Sequence, residues 1–205
     1  LPSLKQKCAE WYKNAADNEK ELLQTILAYE KEYFDDMTFK PDSIMSPFVK
    51  YPVQDNNGVV SFNNFALPPD LSSISHMNCR FYIGNIEKDF TAGAWNKKEK
   101  TLTILPEYSK DKVTILHEMI HIYESALDKY IPSLRDALTL TLYVNIKDTL
   151  PDIDARLITR TNFWVADSII EIGGSHGVLF FLKSIDLDLR CGYELGTVFR
   201  YAKEE

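Results

Sequence analysis

An α+β fold is expected from this chain on three grounds. Apolar residues recur at three- and four-residue steps near its start and again in its later half, short β-rich runs lie between turn signals in the middle, and a helical pattern follows the last of those runs directly. The expected arrangement is a small antiparallel or mixed β-sheet packed on one central helix, with extra helices. At 205 residues and 45% hydrophobic content the chain can bury one sizeable core, so a single domain spanning 1–205 is expected. Within it, 1–77 reads as an N-terminal helical and loop region and 128–172 as a helical insertion.

Leu4, Cys8, Trp11, Tyr12, Ala15, Leu22, Leu23, Ile26, Leu27, Tyr29 and Phe34 predict one long helix, or two helices broken near Asp17-Asn18. Residues 35–75 carry many of the prolines and the turn signal Asp55-Asn56-Asn57-Gly58, and read as loops with short strands, for example over 59–62. Residues 78–84 and 90–95 are candidate strands, and the polar turn 96–100 leads into a third over 101–105, which together suggest an antiparallel meander. Pro106 ends that strand, and Ser109 or Asp111 can cap the helix whose periodic face is Val113, Leu116, Ile120, Tyr123, Ala126 and Leu127. Two further helices are expected over 132–147 and 152–172, the second stopped by Gly173-Gly174. The run 175–182 followed by 183–190 reads as a helix or a closely packed turn-and-helix segment, and a last short strand or ordered coil over 192–201 completes the chain.

The balance of 30 acidic and 23 basic residues, a formal charge of −7, gives no general pull toward nucleic acid or an anionic surface. No run of apolar residues is long enough to span a bilayer, and Leu1-Pro2-Ser3 opens into a charged helical pattern without the apolar core of a signal peptide. Neither nucleic acid nor membrane is therefore an expected partner. The chain reads as cytoplasmic, with export left open by a first residue other than Met. Cys8, Cys79 and Cys191 are odd in number and far apart, which suits a reducing compartment and ordinary burial better than a disulfide framework.

The segment His117-Glu118-Met119-Ile120-His121 carries the chemistry. A four-residue step on a helix puts both imidazoles on one face, with Glu118 beside them. Neutral imidazole nitrogens suit zinc at about 2.0–2.1 Å, and an adjacent carboxylate that is not a ligand can take a proton from the activated water. An open catalytic site needs a third protein ligand. His76, Glu124, Glu171 and His176 are the credible donors, and spacing alone does not decide between Glu171 and His176.

Ala92-Gly93, Thr101-Leu102-Thr103-Ile104, the segment from Val113 through His121, and His176-Gly177-Val178-Leu179-Phe180 resemble the pattern of the SprT-like metallopeptidases, the family of the Spartan protease. The resemblance covers residues 78–127 and 173–190. It implies a zincin-like metallopeptidase core, a zinc ion held by His117, His121 and His176, and Glu118 as the general base of an endopeptidase. About fifty residues separate the second and third motifs here, more than the family usually has. The family's zinc ribbon and DNA-binding region are missing from this sequence, so the expected partner is a protein or peptide substrate and not protein crosslinked to DNA.

Tyr108, Arg190, Tyr193 and Tyr201 are candidate oxyanion donors. Asp167, Glu171 and Asp186 are candidate partners for the outer imidazole nitrogens, and Trp95 and Trp164 read as core anchors. Three rival readings remain: a gluzincin-type peptidase with Glu171 as third ligand, a metal amidase acting on a small molecule, and a metal-stabilised protein-binding domain without catalytic activity. The last would have its metal closed off by a fourth protein ligand. Oligomeric state is left open.

Overall fold

The Ser3 hydroxyl accepts a hydrogen bond from the Gln6 amide while the Gln6 side chain accepts one from the Ser3 amide, a reciprocal cap that starts α1 (Leu4–Asn14). Extended backbone at Ala15 and Ala16 breaks the helical path, and the Glu19 carboxylate accepts the Ala16 amide at 3.1 Å to begin α2 (Asp17–Tyr33). Of the two readings of this region, two helices is the one observed. The computed structural model describes residues 1–35, 48–54, 60–66, 78–87, 91–127 and 176–200, with positions 138, 139, 142, 143, 145 and 146. The chain divides into two units, one drawn from Leu1–Lys40, Pro68–Ala126 and Lys203–Glu205, the other from Pro41–Leu67 and Leu127–Ala202. The fold is mixed α+β, with several helices and a small mixed sheet.

That sheet lies in the first unit. In sequence order the strands following α2 are β1 (Phe48–Gln54), β2 (Val60–Ala66), β3 (Arg80–Ile83), β4 (Gly93–Asn96) and β5 (Thr101–Ile104); the last three form the sheet, in the order β3-β5-β4. β4 and β5 pair antiparallel, but β3 and β5 run parallel, so the expected meander is corrected to a mixed sheet. The reason is that β5 alternates Thr with Leu102 and Ile104, both fully buried, and takes the centre. The polar turn after Asn96 pairs β4 with one side of β5, and β3 lies on the other side. Phe81, Leu102, Ile104, Gly93 and Trp95 share one face by register.

The outer edge of β3 is covered by side chains from the two N-terminal helices. The Trp11 indole donates to the Phe81 carbonyl at 3.1 Å, the Cys8 thiol to the Cys79 carbonyl at 3.4 Å, and the Ile83 amide donates to Glu19 at 3.3 Å. No described strand pairs with the outer side of β4.

After a short 3₁₀ turn (Pro106–Tyr108), Asp111 accepts the Thr114 amide at 2.7 Å and caps α3 (Lys112–Leu127). Every residue from Thr114 to Ile120 is buried, so the burial is broader than the expected stripe, and Val113 is only half-buried. Burying Leu116, Met119 and Ile120 completely contributes about 1.5–3 kcal/mol each against exposure. α2 docks on α3 through the Tyr123 hydroxyl, which donates to buried Glu30 at 2.6 Å, and through Phe34 stacked on Tyr123 with centroids 4.9 Å apart.

In the second unit, β1 and β2 pair antiparallel from Phe48↔Ala66 to Gln54↔Val60, so the strand expected over 59–62 is longer and has a partner. Leu138, Leu142 and Ile146 are helical and buried at four-residue steps, in keeping with a helix over 132–147. The other positions of that helix, the helix over 152–172 and the Gly173-Gly174 stop lie outside the described residues. α4 (Val178–Cys191) is one continuous helix ended by Gly192 in the left-handed region, φ 69°. The segment expected as strand or coil after it contains a short helix, α5 (Thr197–Arg200). Buried Asp188 explains the difference: its carboxylate accepts the Gly196 and Val198 amides at 2.7 and 2.9 Å and folds the chain back into a turn. Among the described residues no helix is long and apolar enough to cross a membrane.

Candidate metal centre

α3 places His117 and His121 one turn apart, with ring centroids separated by 5.2 Å at an interplanar angle of 73°. His117 is 2% exposed and His121 half-buried. His176 precedes α4, where its ring packs on Phe180 at 4.2 Å and against Phe199 at 5.4 Å. Burial lowers the His176 pKa, which keeps its imidazole in the neutral form that ligates metals. His117, His121 and His176 each offer a nitrogen, and these ligand atoms lie within 4.8 Å of one another, a set that could hold one metal ion.

Glu118 is 2% exposed, and burial pushes its carboxyl from 4.5 up to about 8. It lies against Gly93 on β4. A β-carbon at Gly93 would stand 2.6 Å from Glu118 Cγ and 2.7 Å from Oε1, inside van der Waals contact, so only glycine leaves the carboxyl its place. Gly93→Ala is expected to displace Glu118 and destabilise the fold by about 1–3 kcal/mol. Metal stoichiometry should hold while any hydrolytic rate falls about a hundredfold. Thermal unfolding and a rate assay measure both; an alanine variant with undiminished rate would show that the contact does not position the carboxyl.

The supporting residues are placed unevenly. Arg190 and Asp186 pair with each other at 3.3 Å, and Asp186 also takes the ammonium of fully buried Lys183 at 2.7 Å, so Asp186 serves a helix-side ion pair. Trp95 is half-buried, not a core anchor; its indole donates to Ser125. Cys79 is buried and its thiol pushed up to about 12 by burial, while Cys8 and Cys191 are half-exposed, contrary to the expectation of burial for all three. His76, Trp164, Asp167, Glu171 and Tyr201 lie outside the described residues. Sequence reasoning missed Ser125, whose signal was its position four residues after His121, one helical turn along the same face.

No protein-family model, curated protein or solved structure matches this chain.

Proposed function

We propose that this chain is a zinc-dependent endopeptidase with a SprT-like, zincin-like core. The observation that carries the reading is a buried carboxyl, Glu118, packed against Gly93 and next in sequence to His117 on the helix that bears the paired imidazoles. His117, His121 and His176 would hold the ion, and three neutral imidazoles are a donor set that suits zinc. A zinc ion held there supplies Lewis acidity, lowering the pKa of a water and polarising the scissile carbonyl. Glu118 takes the proton from the attacking water and returns it to the leaving amine. Burial raises the proton affinity of the metal-free carboxyl, and a cation bound close by would favour the ionised form that accepts the proton.

The substrate class follows from the sheet. In an antiparallel ladder alternate residues face outward; the Leu105 amide bonds the Ala92 carbonyl, so Gly93 and Trp95 turn their backbone groups away from β5. An extended peptide laid along that edge gains main-chain hydrogen bonds close to Glu118. Protein or peptide chains are therefore the proposed substrate.

The test is internal cleavage of an unfolded protein and of a mixed-sequence peptide library. Cleavage should be abolished by a chelator and restored by one equivalent of zinc. Cleavage indifferent to chelation would overturn the reading. Stoichiometric zinc without cleavage would favour the metal-stabilised binding domain.

A further inference from the structure

We infer that Trp95 is a positioning residue for the second imidazole of the site, acting through Ser125; the inference rests on the zinc-site reading above. The Trp95 indole N–H donates to Ser125 Oγ at 2.7 Å, and Ser125 Oγ donates to the His121 carbonyl at 2.8 Å. Indole is a donor only, so the serine oxygen must spend a lone pair on Trp95 and commit its proton to His121. A hydroxyl that would otherwise rotate is thereby locked onto the carbonyl of the residue bearing the imidazole. A serine bonded to the carbonyl four residues back also bends its helix slightly, which sets the peptide plane beside the His121 α-carbon.

The same strand face makes both contacts. Gly93 backs Glu118, and Trp95, two residues on, reaches Ser125, seven residues further along α3. β4 therefore fixes the carboxylate directly and the second imidazole through one hydroxyl. Small displacements matter at such sites, because metal ligands and catalytic groups tolerate errors of only about 0.5 Å.

Cobalt(II), whose visible absorption reports ligand geometry where zinc is silent, is the probe, titrated into the chelated full chain. Trp95→Phe keeps the ring and removes the donor. It should weaken cobalt binding about tenfold, the lower end for residues supporting a ligand, and shift the visible band. Ser125→Ala should do the same, and the double variant should be no worse than the weaker-binding single one, because both substitutions break one relay. Trp11→Phe removes a comparable indole hydrogen bond at the opposite edge of the sheet and should lower thermal stability without changing cobalt affinity. Unchanged cobalt affinity and spectrum in Trp95→Phe would overturn the inference while leaving the zinc-site reading standing. Equal weakening in Trp11→Phe would overturn it as well, by reducing the effect to general loosening. A wild-type chain that takes up no cobalt would overturn both.

Discussion

On the proposed function, Glu118→Gln is expected to retain one zinc per chain and to hydrolyse peptides about 10²–10⁴-fold more slowly, the range a positioned general base supplies. The amide has the size and shape of the protonated acid, so it fits the 2%-exposed site against Gly93 without crowding. It cannot accept the water's proton and pass it on. The substitution therefore separates chemistry from folding and from metal binding, and undiminished turnover would remove Glu118 from the mechanism. A second measurement uses the chelated chain. Burial raises the Glu118 carboxyl from 4.5 to about 8, so the folded chain keeps a proton that the unfolded chain releases. Stability from this group is complete below the unfolded value and is lost as pH rises through about 8. Glutamine is neutral throughout, so the stability difference between variant and wild type should grow in the variant's favour from about pH 5 to about pH 9. A difference independent of pH would mean that the carboxyl ionises freely.

On the same reading, His176→Ala is expected to weaken zinc binding about 10²–10³-fold. Structural zinc in small domains contributes about 10–16 kcal/mol over its whole ligand set, so one ligand accounts for about 3–4 kcal/mol. The imidazole is half-buried beside Phe180 and Phe199, and truncating it also loosens that aromatic packing. His176→Phe supplies the control, since it restores ring contact but offers no nitrogen. Equilibrium titration with a competing chelator should show both variants equally impaired. Wild-type affinity in either variant would remove His176 from the ligand set and send the search to Glu171.

The two imidazoles were legible as neighbours because a four-residue step on a helix brings positions 117 and 121 onto one face. The alternation of Thr101, Leu102, Thr103 and Ile104 likewise announced a strand buried on one side. Pairing partners were less legible. Nothing local tells β3 to run parallel to β5, since that choice depends on which strand is apolar enough for the centre. The turn into α5 was hidden for a similar reason, as it depends on Asp188 reaching amides eight and ten residues away. Spacing along the chain also left the third ligand open between Glu171 and His176, and Glu171 lies outside the described residues. The steric demand at Gly93 comes from a helix 25 residues later and has no local signature.

The helix side chains clasping β3 have a consequence for how copies of this chain behave at high concentration. Fibrillar growth by strand addition needs a docking side on each end of the stack, so that every recruit offers the next one a landing place. With Cys8 and Trp11 bonded to the Cys79 and Phe81 carbonyls and Glu19 to the Ile83 amide, the β3 side of this sheet is a poor landing place for such a recruit.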